Sequence, residues 1–187
     1  MRLFIAAGIN DKVWAAASGL IDELSKAKGE VKWVEPGNLH LTLVFLGEVS
    51  ADHLTPITNA LDSTANGNGA FEIEFDRLGA FGAPSRPRVI WLGIGKGAKV
   101  LTTIAADLRR SLEANGVTFS DEHEFSAHLT LGRVRGPRGV KELVERLRAT
   151  PVSAGLSLRV ENLMLFQSRL AADGPKYAVL RESALEM

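Results

Sequence analysis

The chain holds four histidines, and two of them open the same tetrapeptide, HLTL, at His40 and again at His128. A strand points successive side chains to opposite faces, so His40 and Thr42 share one face while Leu41 and Leu43 share the other. The same holds for His128 and Thr130 against Leu129 and Leu131. Each copy therefore buries a leucine pair and presents an imidazole and a hydroxyl to whatever lies opposite. Imidazole titrates near about pH 6.5, so of two that face each other across a cleft, one can accept a proton while the other donates one. The threonine hydroxyls can hydrogen-bond non-bridging phosphate oxygens. The set suits a phosphodiester, where a nucleophile enters on one side of phosphorus and an oxygen leaves on the other. A lone histidine on an amphipathic strand is ordinarily structural; recurrence of the whole tetrapeptide is what singles these two out. His53 and His123 fall in a predicted helix and loop without such surroundings and are read as ordinary residues.

Composition removes several other chemistries. With no cysteine in 187 residues, disulfides, thiolate nucleophiles and cysteine-ligated zinc are excluded. No HExxH is present and no third ligand accompanies the two histidines, so no metal site is expected. Lys plus Arg and Asp plus Glu number 22 each, which leaves no global basic footprint for gripping long nucleic acid. Local basic clusters stand at Arg86 and Arg88, and at Arg133, Arg135, Arg138 and Lys141; a solvated loop or helix face is the ordinary reading of each. The N-terminal apolar run is cut by Asn10 and Asp11, too early for a signal peptide, and no run approaches the ~20 residues of a membrane-spanning helix. A cytoplasmic protein with no membrane association is expected.

The elements that must position the two tetrapeptides follow from period and punctuation. RLFIAAGI reads as a strand, Asn10 as the cap of a helix through about Ala27, VKWV as alternating, and NLHLTLVFLG as a strand ended by Gly47. Ser50 is expected to cap a second helix carrying Leu54, Ile57 and Leu61, ending in the loop-like TANGNGA. FEIEF has period two, GAFGAPSRPR reads as a turn-rich loop, and VIWLGI as a strand. A helix over about 99–114 precedes the second strand, HLTLGRV, and another carries Leu143, Val144 and Leu147. Two strand-like runs, Ser157 to Arg169 and Lys176 to Arg181, close the chain around a turn at AADGP. Several strands neighbour strands, which favours α+β over a doubly wound parallel sheet. The tetrapeptides are 88 residues apart, close to half the chain, and no linker divides it. A single domain over 1–187 built as two related lobes, with one motif (40–43 and 128–131) from each, fits that layout.

In these surroundings the two HxTx motifs resemble the 2H phosphoesterase superfamily, and within it the RNA 2′,3′-cyclic phosphodiesterases, also called 2′-5′ RNA ligases. KWVEPGNLHLTLVFLGEV, LGAFGAPSRPRVIWLGI, FSAHLTLGRV and LMLFQSRLAADGPKYAVL follow one another as family segments do, so the likeness spans nearly the whole chain. It implies two lobes of antiparallel sheet related by approximate two-fold symmetry around a central cleft. It also implies His40 as proton donor, His128 as proton acceptor, and Thr42 and Thr130 as phosphate ligands. The implied partner is RNA or a nucleotide ending in a 2′,3′-cyclic phosphate, with no metal, cofactor or obligate protein partner. Ala127 departs from the proline common before the second histidine, which frees the entry to that strand without removing a reacting group. Arg133 is a candidate phosphate ligand only if Gly132 marks a bulge, because an odd offset from His128 otherwise puts it on the opposite face. Arg86 and Arg88 are candidates for the RNA end, and Trp33, Trp91 and Phe125 for base stacking. The rival readings are 2′-5′ ligation, with a 5′-hydroxyl in place of water, and a non-catalytic RNA-end binder.

Overall fold

The structure, a computed structural model, describes residues 1–119, 124–172 and 174–186, so His123 and Asp173 of the AADGP turn lie outside the described residues. The chain begins with β1 (Arg2–Ala7), whose last five residues are buried. Asn10 then caps α1 (Asp11–Ser25), its Oδ1 accepting from the Val13 amide at 2.9 Å. After β2 (Val31–Trp33), a single turn over Pro36–Asn38 leads to His40 and β3 (Leu41–Glu48). α2 (Leu54–Asn66) is entered through a 3₁₀ turn at Ala51–His53; the Ser50 hydroxyl meets His53 Nδ1 at 2.9 Å instead of capping the helix. The second half runs β4 (Phe71–Ala83), β5 (Arg86–Ile94), α3 (Ala98–Ala114), β6 (His128–Val134), α4 (Val140–Ala149), β7 (Leu156–Val160), β8 (Asn162–Ala171) and β9 (Gly174–Ala184).

Two expectations are corrected. GAFGAPSRPR is not a loop: β4 and β5 continue through it as a hairpin and leave only Pro84 and Ser85 as the turn. Its breakers are accommodated where the ladder is already irregular, since Gly82 takes φ +105° at a register shift and pairs with Pro87. The run Ser157–Arg169 is not one strand either. It breaks at Glu161, β7 pairing with β4 in one sheet and β8 with β1 in the other. The buried positions change parity at the break, from Leu156, Leu158 and Val160 to Leu163 and Leu165, because the chain turns a different face inward in each sheet.

Both sheets are antiparallel, in the orders β3-β1-β8-β9 and β2-β6-β5-β4-β7. The α+β class with one HLTL strand in each sheet is therefore as expected, but the lobes are not the halves of the sequence. β8 and β9 return to the first sheet, and β2 crosses to the second. The helices exchange as well: α1, which connects β1 to β2, packs on β6 and β7 beside α4, while α3, which connects β5 to β6, packs on β3 beside α2. Each sheet thus buries its apolar face under one helix from each half. The buried residues of both sheets form one contiguous cluster, and separating the lobes would strip apolar surface from both.

Candidate active site

The four leucines of the two tetrapeptides are buried, Leu41 and Leu43 at 2% exposure and Leu129 and Leu131 at 0%, which fixes the opposite face of each strand toward the cleft. Here β3 and β6 meet. His40 stands just before β3, and its Nδ1 lies 2.6 Å from the Asn38 carbonyl; His128 opens β6 with Nδ1 2.7 Å from the Ser126 carbonyl. A carbonyl can only accept, so each Nδ1 carries the hydrogen and each Nε2 is left as the atom that exchanges protons. The carbonyl two residues upstream thus orients both imidazoles, and the Asn38 side chain is itself held by a 2.9 Å bond to the Pro175 carbonyl.

The two rings have different surroundings. His40 is packed against Phe4 (4.7 Å between centroids), Tyr177 (5.3 Å, edge-on) and Phe166 (6.1 Å). That burial pushes its pKa down to about 4, against the opposing effect of the Asn38 carbonyl, and the nearby charges of Arg133 and His128 lower it further. His128 is also lowered by burial, with the Ser126 bond opposing and Arg133 adding to the fall; its aromatic neighbour is Phe81, edge-on at 4.9 Å. Both shifts favour the neutral imidazole. An anion placed beside His40 would offset the effect of burial and favour its protonated form.

A cavity of about 670 Å³ extends from this centre, and His40, Thr42, Thr130 and Arg133 are among its walls, whereas His128 is not. Arg133 reaches it through a bulge. Between the pairs Trp91↔Thr130 and Ile90↔Gly132, β6 carries one residue more than β5, namely Leu131, and this returns Arg133 to the face of Thr130. β3 repeats the device: between Ala6↔Thr42 and Ile5↔Val44 the extra residue is Leu43. The residue of β3 that matches Arg133 is then Phe45, five positions after its histidine, and it too lines the cavity.

Of the candidate aromatics, Trp33 lines the cavity, and a Cβ on Gly132 would come within 2.8 Å of its ring. Trp91 lies across Gly79 and Gly93 behind Phe81, with its indole N–H buried and without a partner among the described residues; it is not a cavity wall. Phe125 packs against the core. Arg86 and Arg88 are exposed at the β4–β5 hairpin and do not reach the cavity. Sequence reasoning missed Phe45, Tyr177, Arg2 and Lys32. Only Phe45 carried a signal, since aligning the two tetrapeptides sets it against Arg133; the others arrive through tertiary pairing of β1, β2 and β9.

A family model described as LigT-like phosphoesterase matches the chain twice, over residues 8–91 and 93–177, one HLTL in each match. An Archaeoglobus fulgidus protein named RNA 2′,3′-cyclic phosphodiesterase is 37% identical over 181 residues, covering 97% of this chain and 98% of its own. A Thermotoga maritima protein of the same name is 34% identical over 187 residues, covering 100% and 96%. Among solved structures, one from Thermus thermophilus superposes with a TM-score of 0.80 at 29% identity over 99% of this chain and 98% of its own. E. coli LigT in complex with 3′-AMP gives 0.78 at 26% identity over 100% and 98%.

Proposed function

The chain belongs to the LigT-like phosphoesterase family, and from that premise we propose that it hydrolyses RNA 2′,3′-cyclic phosphate ends to 2′-phosphomonoesters by acid–base catalysis between two histidines. The observation that carries the reading is the pair of imidazoles held in the same tautomer by backbone carbonyls, with both Nε2 atoms left to exchange protons. Neutral His128 Nε2 takes a proton from water as its oxygen bonds to phosphorus. The bond from phosphorus to the 3′ oxygen breaks, and His40 Nε2 delivers a proton to that oxygen. Thr42, Thr130 and Arg133 hold the non-bridging oxygens as charge builds on them.

The packing around His40 bears on this allotment: burial disfavours its protonated form, so once protonated the ring gives its proton up readily. The proton on His40 arrives with the substrate, whose phosphate supplies the counter-charge that Phe4, Phe166 and Tyr177 do not. Each proton transfer is worth roughly 10² to 10⁴ in rate.

The deciding experiment is incubation with a 2′,3′-cyclic mononucleotide, with product analysis that separates 2′- from 3′-phosphate. A 2′-phosphate formed at an undiminished rate in EDTA is expected. Exclusive 3′-phosphate, or activity lost to EDTA and restored by zinc or manganese, would overturn the mechanism. Adding an oligonucleotide with a 5′-hydroxyl tests whether ligation competes, and tight binding without turnover would mark a binder.

A further inference from the structure

Each imidazole gives its Nδ1 hydrogen to the carbonyl two residues upstream, but the two carbonyls are not held alike. Ser126 stands in irregular chain before β6, and its side chain makes no hydrogen bond among the described residues. Asn38 ends the single 3₁₀ turn Pro36–Asn38, which buries none of its own residues. With so little apolar packing, the place of that turn depends on its polar contacts. The Asn38 amide closes it on the Glu35 carbonyl at 2.8 Å, and two side chains tie it to the rest of the molecule. The Trp14 indole N–H, on α1, gives to the Pro36 carbonyl at 3.1 Å, and Asn38 Nδ2 gives to the Pro175 carbonyl on β9 at 2.9 Å. The first tie is exposed and competes with water; the second is half-buried and competes less.

Pro175 and Tyr177 are two residues apart on β9 and share a face. Tyr177 packs edge-on against His40 at 5.3 Å, while Pro175 holds, through Asn38, the acceptor of the same ring. β9 thus reaches His40 twice, once directly and once through the turn. His128 is served otherwise, by one aromatic neighbour among the described residues, Phe81. Only an amide does what Asn38 does here: a carbonyl needs a donor, which an aspartate lacks and an apolar side chain cannot supply.

We propose that Asn38 is the positioning residue of the proton donor: by tying the turn to β9 it holds the carbonyl that fixes the tautomer and the aim of His40 Nε2. The proposal rests on the reaction assigned above, in which His40 protonates the departing 3′ oxygen. Asn38 and Pro175 also line the cavity, so a direct contact with substrate is the rival role for Asn38, and it predicts a different kinetic pattern.

The test is Asn38→Leu, which keeps the volume and removes the donor. On a 2′,3′-cyclic mononucleotide it is expected to lower kcat about tenfold to a hundredfold, the cost of misplacing a reacting group by about 1 Å. KM should change little, since the loss falls on the transition state. On the same substrate with sulfur at the 3′ position, whose thiolate leaves with little help, the variant should approach the wild-type rate. Imidazole nitrogen NMR shifts supply a second readout. In the wild type His40 is expected with its hydrogen on Nδ1; in the variant a population with the hydrogen on Nε2 should appear, with His128 unmoved. Asn38→Ala should give the same pattern and takes over if the leucine variant does not fold. Trp14→Phe, which removes only the exposed tie, should lower kcat by less. An unchanged kcat, a loss confined to KM or equal on both substrates, His40 shifts that do not move, or a larger effect from Trp14→Phe overturns the proposal. If His40→Ala itself gains nothing from the sulfur substrate, the donor role of His40 fails instead, and the imidazole shifts alone then decide whether Asn38 holds the ring.

Discussion

β3 and β6 carry the same tetrapeptide, the same bond from Nδ1 to the carbonyl two residues upstream, and the same extra residue after the threonine. Beyond that point they diverge. β3 continues with Val44 and Phe45, β6 with Gly132 and Arg133. Val44 is fully buried, while Gly132 gives up its side chain to Trp33 and Val31, either of which a Cβ would approach to 2.8 Å. The repeated part of the motif sets where two imidazoles and two hydroxyls stand. The unlike part allots roles, a cation on one wall and an aromatic face on the other. A site built from two equal halves would suit a symmetric ligand; the proposed substrate, with its charge at one end and its base at the other, would call for unequal ones.

The comparison breaks most severely at the histidines. His40→Ala and His128→Ala are each expected to lower kcat by roughly 10² to 10⁴, and the double variant by less than the product, because both act in one transfer. A substrate with sulfur at the 3′ position separates them. A thiolate, whose conjugate acid has a pKa of about 8.5, leaves with little help, so His40→Ala should recover much activity and His128→Ala little. The reverse pattern would exchange the two roles.

Next come the unlike residues five positions after each histidine. Arg133→Met should cost about 10² to 10³ in kcat/KM, as expected for a lost donor to developing phosphoryl charge. Phe45→Ala should cost about tenfold, mainly in KM, as loss of a stacking face does. Equal effects in steady-state kinetics would mean that the walls are not specialised. The like residues should behave alike: Thr42→Val and Thr130→Val are each expected to lose about 1.5 to 3 kcal/mol of transition-state stabilisation, the worth of one hydrogen bond to a charged group, read from the same rate measurements.

The positions beside the bulges should both lose stability but differ in activity. Gly132→Ala overfills the contact with Trp33 and Val31, at about 1 to 3 kcal/mol, and turns Arg133 away, so activity should fall with stability. Val44→Ala opens a cavity on the buried side and costs about 2 kcal/mol in denaturant unfolding, with activity largely kept.

The smallest effect is in pH. Both imidazoles titrate below their ordinary value, and the reaction needs one proton on the pair. That proton is lost as pH rises, so kcat/KM should fall by about tenfold between pH 7 and 8. Binding a phosphate ligand at pH 7 should take up close to one proton, which calorimetry in buffers of different ionisation enthalpy can read. A pH-independent kcat/KM from 6 to 8 would contradict the neutral pair.

The repeated HLTL, the burial of its leucines, the α+β class and the two-fold layout could all be read from residue types and spacing. Each rests on local periodicity or on the match between two stretches of sequence. What the sequence left open depends on partners distant along the chain. Arg133 could be assigned to a face only once Leu131 was seen as an extra residue against β5, because a bulge is a property of two strands and not of one. Arg2, Lys32 and Tyr177 enter the cavity through β1, β2 and β9, which belong to two different sheets and are far apart in the chain. The depression of the two histidines was equally out of reach: desolvation is set by the rings packed around an imidazole, and Phe4, Phe166 and Tyr177 are brought to His40 from three strands by the fold alone.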